Sequence, residues 1–230
     1  MDRPEVPTLP SMRALVTGGT GRIGAAVSDR LRAEGWTVFA AGRADGDLAR
    51  AEEAVSLVTR AIGELGGLDL LVNAAAEGFV PRPVADVTEA DWDAAFGATA
   101  KGSFFVTQAA AAHLRESRGL VVMIEDVAAY QPWPLFAPHS AAKAAQAMLT
   151  RVFARALAPE VRVCGIAPGP VAVEAGQEER RAAETLLGRV GSPDDVAEAV
   201  LYLLGAEFVT GTTLVVDGGR LLQTERQQEP

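Results

Sequence analysis

Three glycines crowded into residues 18–21 restrict this chain more than any other stretch. Residues 12–16 are short and apolar enough for a buried strand, Gly18, Gly19 and Gly21 follow in a tight turn, and residues 23–27 open a helical pattern. Strand, turn and helix therefore follow one another with no linker. Glycine belongs in such a turn when the backbone must approach a diphosphate, because a side chain would hold the anion away from the unpaired N–H groups at the helix start. A second strand at 37–41 sets the turn inside a strand–helix–strand unit, the context that distinguishes a dinucleotide site from an ordinary glycine turn.

The alternation continues along the chain. Leu48, Ala51, Val55, Val58 and Ile62 share one side of a helix over 48–65, Gly66 and Gly67 stop it, and 68–73 form a third strand with almost no polar interruption. Ala74, Ala75 and Ala76 keep the backbone thin before a loop at 77–83. Thr88 with Asp91 three positions on reads as an N-cap, starting a helix that carries Trp92, Phe96, Phe104 and Phe105 toward Leu114, with His113 a surface or cap residue. The fourth strand, 119–124, delivers Glu125 and Asp126 to the carboxyl edge of the sheet, where open α/β folds place ligands. A proline-rich loop with Tyr130, Trp133 and Phe136 leads to a long helix from His139 to about Ala158, and the four-residue spacing puts His139 and Lys143 on one face. A fifth strand over 161–167, a helix capped by Ser192 with Pro193 at its first position and running to Leu204, and a last strand over 214–217 complete the pattern. The fold class is α/β: a single doubly wound Rossmann-type domain over 11–222, mostly parallel, with helices on both faces. Residues 1–10, with three prolines, read as a flexible lead-in, and 223–230 as a polar tail.

A net charge of −9 argues against nucleic acid or an anionic membrane as partner and leaves a small-molecule substrate. The single cysteine, Cys164, excludes an internal disulfide and a cysteine-rich zinc site; it reads as a core thiol, and no metal is expected. With no signal-peptide pattern and no apolar run near about 18 residues, the expected compartment is the cytoplasm. Arg43, just past the second strand, suits a ribose 2′-phosphate where an acidic residue would suit a bare hydroxyl, so NADP(H) is the expected cofactor. A solvated loop arginine is the alternative, because Asp45 and Asp47 lie close by.

Taken in order, Thr17 to Gly24, the run from Asp69 to Ala74, Lys143, Pro168-Gly169 and Val216-Asp217-Gly218-Gly219 resemble the motifs of the short-chain dehydrogenase/reductase family over nearly the whole chain. The resemblance implies one Rossmann domain binding NAD(P), assembled as a homodimer or homotetramer. It implies cofactor contacts from Gly18, Thr20, Gly21, Arg22, Ile23 and Gly24, from Asn73, Ala74 and Ala75, from Lys143, and from Pro168, Gly169 and Val171. Within the family the chain looks most like the pteridine reductases, which carry Arg where Arg22 stands and Asp in place of the catalytic Ser, as at Asp126.

The departures concern proton delivery. The Tyr that members place four residues before the lysine is His139 here, thirteen residues after Asp126 as the family spacing requires, and the helix position that usually holds Asn is Thr99. The leading expectation is an NADPH-dependent, pteridine-reductase-like oxidoreductase reducing a C=N bond of a dihydropterin, dihydrofolate or related substrate. Asp126 and Lys143 are central and His139 is auxiliary or a mere occupant of its slot, while Arg22 serves cofactor and substrate. Phe79 and Trp133 read equally as stacking surfaces for a flat heterocycle and as wall or core. A carbonyl or imine reductase on another molecule, and a catalytically silent NADP(H)-binding sensor or partner subunit, remain open.

Overall fold

The computed structural model describes residues 12–77 and 79–223; the lead-in at 1–10 and all of the polar tail but Gln223 lie outside them. Six strands, β1 (Arg13–Thr17), β2 (Thr37–Ala41), β3 (Leu70–Asn73), β4 (Leu120–Ile124), β5 (Arg162–Pro168) and β6 (Thr213–Val216), form one sheet in the order β2-β1-β3-β4-β5-β6. Every pairing is parallel. The order reverses between β1 and β3, so a crevice opens at their carboxyl ends, where Gly18 and Ala74 stand.

Side chains alternate between two cores. Leu15, Leu71, Val121, Met123 and Val163 face α2 (Ala51–Leu65), α4 (Ser103–Ser117) and α5 (Ala137–Leu157). Val16, Leu70, Val72, Val122 and Ile166 face α1 (Arg22–Ala33) and α7 (Pro193–Gly205). Burial on both faces is why β3 to β5 read as unbroken apolar runs. Cys164 is fully buried in the second core, and His113 is a surface residue near Glu116, as expected. Among the described residues no helix is long and apolar enough to cross a membrane, and no cluster that could hold a metal is found.

Three boundaries differ from the sequence reading. The helix expected from residue 48 starts at Ala51, because the Asp47 carboxylate accepts the Ala49 N–H at 2.9 Å and Glu53 accepts the Asp47 N–H at 2.7 Å, holding a turn ahead of the helix. The helix expected from 88 to 114 is divided: α3 (Glu89–Phe96) passes through a π-helical turn at Gly97–Gly102 into α4. Gly97 and Gly102 pack so closely on Ala49 and Leu48 that a Cβ on either would lie within 3 Å of those side chains. The polar stretch before Ser192 contains a short helix, α6 (Glu178–Ala182), that no periodicity announces. By contrast, the Thr88–Asp91 and Ser192–Asp195 capping boxes form as read.

Candidate active site

The glycine turn fits a diphosphate. Gly18 has φ +64°, and a Cβ there would lie 2.7 Å from the Ala74 carbonyl oxygen, so the turn is pressed against the end of β3. Gly21 caps α1 without any side-chain bond, and the first helical turn carries no acidic residue, so its N–H groups remain directed at the crevice. Arg22 reaches across to donate to the Val173 carbonyl at 2.9 Å, joining the turn to the segment after β5. Ile23 and Gly24 complete the wall, and Pro168, Gly169 and Val171 face them from the far side.

Two of the expected cofactor residues offer only main chain. The Asn73 side chain turns into the sheet, its Nδ2 donating to Thr107 Oγ1 at 3.0 Å, and Ala75 packs on the α2–α4 core. Ala74 and Ala76 line the crevice instead. At the opposite end, Thr20 packs beside Gly42, and Arg43 follows with its side chain 87% exposed, paired to Glu77. Asp45, the carboxylate that could have favoured a bare ribose, is occupied by the Gly42 N–H at 2.9 Å and by Arg60 at 3.1 Å.

The strand end at 125–126 separates the two acids expected at the edge. Glu125 is buried and turned away, accepting hydrogen bonds from Tyr130 (2.7 Å), Thr150 (2.7 Å) and Thr213 (3.1 Å). Asp126 faces the start of the helix: Oδ1 accepts the Ala128 N–H at 2.8 Å, and Oδ2 lies 3.5 Å from His139 Nε2. His139 is the third residue of α5, buried, with no partner at Nδ1. One turn on, Lys143 Nζ donates to the Ile124 carbonyl at 2.6 Å and to Gln146 Oε1 at 3.0 Å. Burial pulls the Lys143 pKa down to about 8, against the opposing pull of Asp126 and then Glu125.

Neither tyrosine of the chain replaces the one missing at position 139. Tyr130 is committed to Glu125 and Thr213, and burial foremost pushes its pKa to about 12; Tyr202 lies exposed on α7. Phe79 and Trp133 both line the cavity. Phe79 stacks on Phe136 at 4.4 Å and meets the His139 ring edge-on at 4.9 Å, while one face of Trp133 carries the Arg220 guanidinium 4.8 Å from its centre. These residues, Asp126, Lys143 and the glycine turn enclose one cavity of about 740 Å³. Arg220, Arg180 and Arg181 on its rim were not read as site residues in the sequence, where no spacing marks them.

A sequence profile described as enoyl-(acyl carrier protein) reductase matches residues 28–220. The 3β-hydroxysteroid dehydrogenase 1 of Eggerthella lenta is 34% identical over 90% of this chain and 93% of its own. A blue fluorescent protein from a metagenomic library, solved with NADPH, superposes with a TM-score of 0.83 at 27% identity, over 91% of this chain and 97% of that one. A 7α-hydroxysteroid dehydrogenase, complexed with NADH and 7-oxo glycochenodeoxycholic acid, does so with 0.81 at 27% identity, over 95% and 98%. A profile spanning most of the chain, a relative matched almost end to end and a glycine crevice facing Lys143 lead to one conclusion: this is an oxidoreductase that belongs to the short-chain dehydrogenase/reductase family.

Proposed function

We propose that the chain is an NADP(H)-dependent reductase of a small, flat carbonyl compound, with Asp126 and His139 acting as one proton-donating pair. The observation that carries the reading is the 3.5 Å approach of His139 Nε2 to Asp126 Oδ2 at the mouth of the glycine crevice, with Lys143 one turn behind. A nicotinamide cofactor held by the glycine turn, Lys143 and the segment from Pro168 to Val171 would supply a hydride to the electrophilic carbon. The pair supplies the proton: the oxygen of the substrate takes it from between Nε2 and Oδ2, leaving neutral imidazole and carboxylate, a charge state that the Lys143 cation favours. Arg43, with Asp45 already bonded elsewhere, supports the 2′-phosphate cofactor. The hydroxysteroid dehydrogenase names of the relatives support carbonyl and alcohol chemistry.

A second reading, reduction of a dihydropterin or dihydrofolate C=N bond, is favoured by Arg22 in the glycine turn together with Asp126 at the serine position. One assay separates the readings: NADPH oxidation against an aromatic aldehyde, a ketone, dihydrobiopterin and dihydrofolate. Asp126→Asn and His139→Phe should each lower kcat by about 10² to 10⁴ while NADPH affinity is kept. Wild-type turnover in either variant removes the pair from the mechanism. NADPH binding without oxidation of any substrate, with turnover gained by His139→Tyr, makes the chain a silent binder.

A further inference from the structure

Four arginines, Arg22, Arg180, Arg181 and Arg220, line the cavity. Arg220 and Arg181 share a single carboxylate, Glu184, at 3.0 Å each. Arg180 donates to Gln177 Oε1 at 3.0 Å, a neutral acceptor, and Glu174 on the rim accepts from Gln177 at 3.1 Å. Arg220 also lies within electrostatic reach of Asp126 and Asp217, but Glu184 is the carboxylate it is ion-paired to among the described residues. Arg220 is the best placed of the four. Its side chain is only 14% exposed, its guanidinium carbon lies over the Trp133 ring, and Glu184 pairs with one of its terminal nitrogens. A guanidinium fixed by an aromatic face and one carboxylate keeps donors free for a second oxyanion and loses little entropy in binding it.

We propose that Arg220, supported on Trp133 and flanked by Arg180 and Arg181, binds an anionic group of the substrate, so that the enzyme selects flat carbonyl compounds carrying a carboxylate or similar acid remote from the reacting carbon. This assignment rests on the carbonyl-reductase reading above. It turns Trp133 from a surface stacked on substrate into the platform that orients a specificity-determining arginine.

The test uses a pair of probes with one ring and one aldehyde, 4-carboxybenzaldehyde and its neutral methyl ester. In both, hydride reaches the aldehyde carbon and a proton its oxygen, so only the remote charge differs. Wild type should favour the acid by at least about tenfold in kcat/KM, the usual size of a charge-assisted hydrogen bond. Arg220→Met should bring the ratio to within about threefold of one, and salt raised from about 0.05 to about 0.5 M should shrink the wild-type ratio. An unchanged ratio in Arg220→Met, or a wild-type ratio near one, overturns the proposal. If Arg220→Met fails to fold, the wild-type ratio and its salt dependence decide. Calorimetric binding of terephthalate to the NADP⁺ complex separates this inference from the catalytic reading. Binding that is lost in Arg220→Met, with neither aldehyde reduced, keeps the anion site and refutes the reductase. Reduction of both aldehydes at equal efficiency does the reverse.

Discussion

Lys143 is a cation that the fold has taken out of water, and its protonation should be visible in stability. It is buried, its ammonium donates to Ile124 O and Gln146 Oε1, and its pKa falls from 10.5 to about 8, with burial the largest cause. Between those two values the unfolded chain holds a proton that the folded chain has released, so stability rises with pH across that window. Replacing Lys143 by Met removes the titration along with two hydrogen bonds, and the loss of the bonds is nearly the same at every pH. The difference in unfolding free energy, wild type minus Lys143→Met, should therefore be larger at pH 10 than at pH 7 by about 2.5 kcal/mol, since each pH unit crossed inside the window adds roughly 1.4 kcal/mol. Urea unfolding of both proteins at the two pH values, followed by tryptophan fluorescence, measures it, and all other titrations cancel in the subtraction. A difference that stays constant to within about 0.5 kcal/mol means that Asp126 and Glu125 restore an ordinary lysine, and burial does not govern its charge.

Two further substitutions test the cofactor end. Arg43→Glu should weaken NADPH binding by at least about tenfold and leave NADH binding little changed, as read by isothermal titration. Equal effects on the two cofactors would detach Arg43 from the 2′-phosphate. Gly18→Val sets a branched side chain at φ +64° against the Ala74 carbonyl, so both dinucleotides should lose more than about tenfold in affinity, with about 1–3 kcal/mol lost in stability. Retained affinity for both would show that the diphosphate rests elsewhere.

What could be read from the sequence was what local rules decide. The strands at the sheet centre are apolar throughout because both faces are covered, and the Thr88 and Ser192 caps depend on residues three apart. The spacing of Asp126, His139 and Lys143 also survived folding, since a strand end and the first turn of a helix leave little freedom between them. What was not legible depends on partners distant in sequence. Nothing local tells that Glu125 turns to Tyr130, Thr150 and Thr213 while Asp126 turns to His139, because those partners lie on different elements that only the tertiary fold brings to the strand end. The π-helical turn follows from the approach of Gly97 and Gly102 to residues 48 and 49. No local pattern marks Arg220, and its pairing with Glu184 and Trp133 exists only once the chain returns from β6 to the cavity.

The buried groups around His139 also bear on whether the crevice works as a catalyst or only binds. Replacing a buried ion pair by apolar residues of similar volume is often neutral or stabilising, so folding alone gives little reason to bury charge here. Yet a lysine, a glutamate and a histidine with an unpartnered Nδ1 lie packed within a few residues of one strand end, each at a cost in desolvation, and Thr99 adds an unpartnered hydroxyl on the π-helical turn before α4. Lys143 is tied through Gln146 to Ser103, whose hydroxyl donates to the Thr99 carbonyl at 2.6 Å, so the cation is held by a buried polar chain that reaches α4. A pure binding crevice needs the glycine turn and the anion-facing arginines but has no use for a depressed lysine beside a carboxylate–imidazole pair. Desolvation costs concentrated at the carboxyl end of β4, beside the crevice, favour the reading of a site that moves protons.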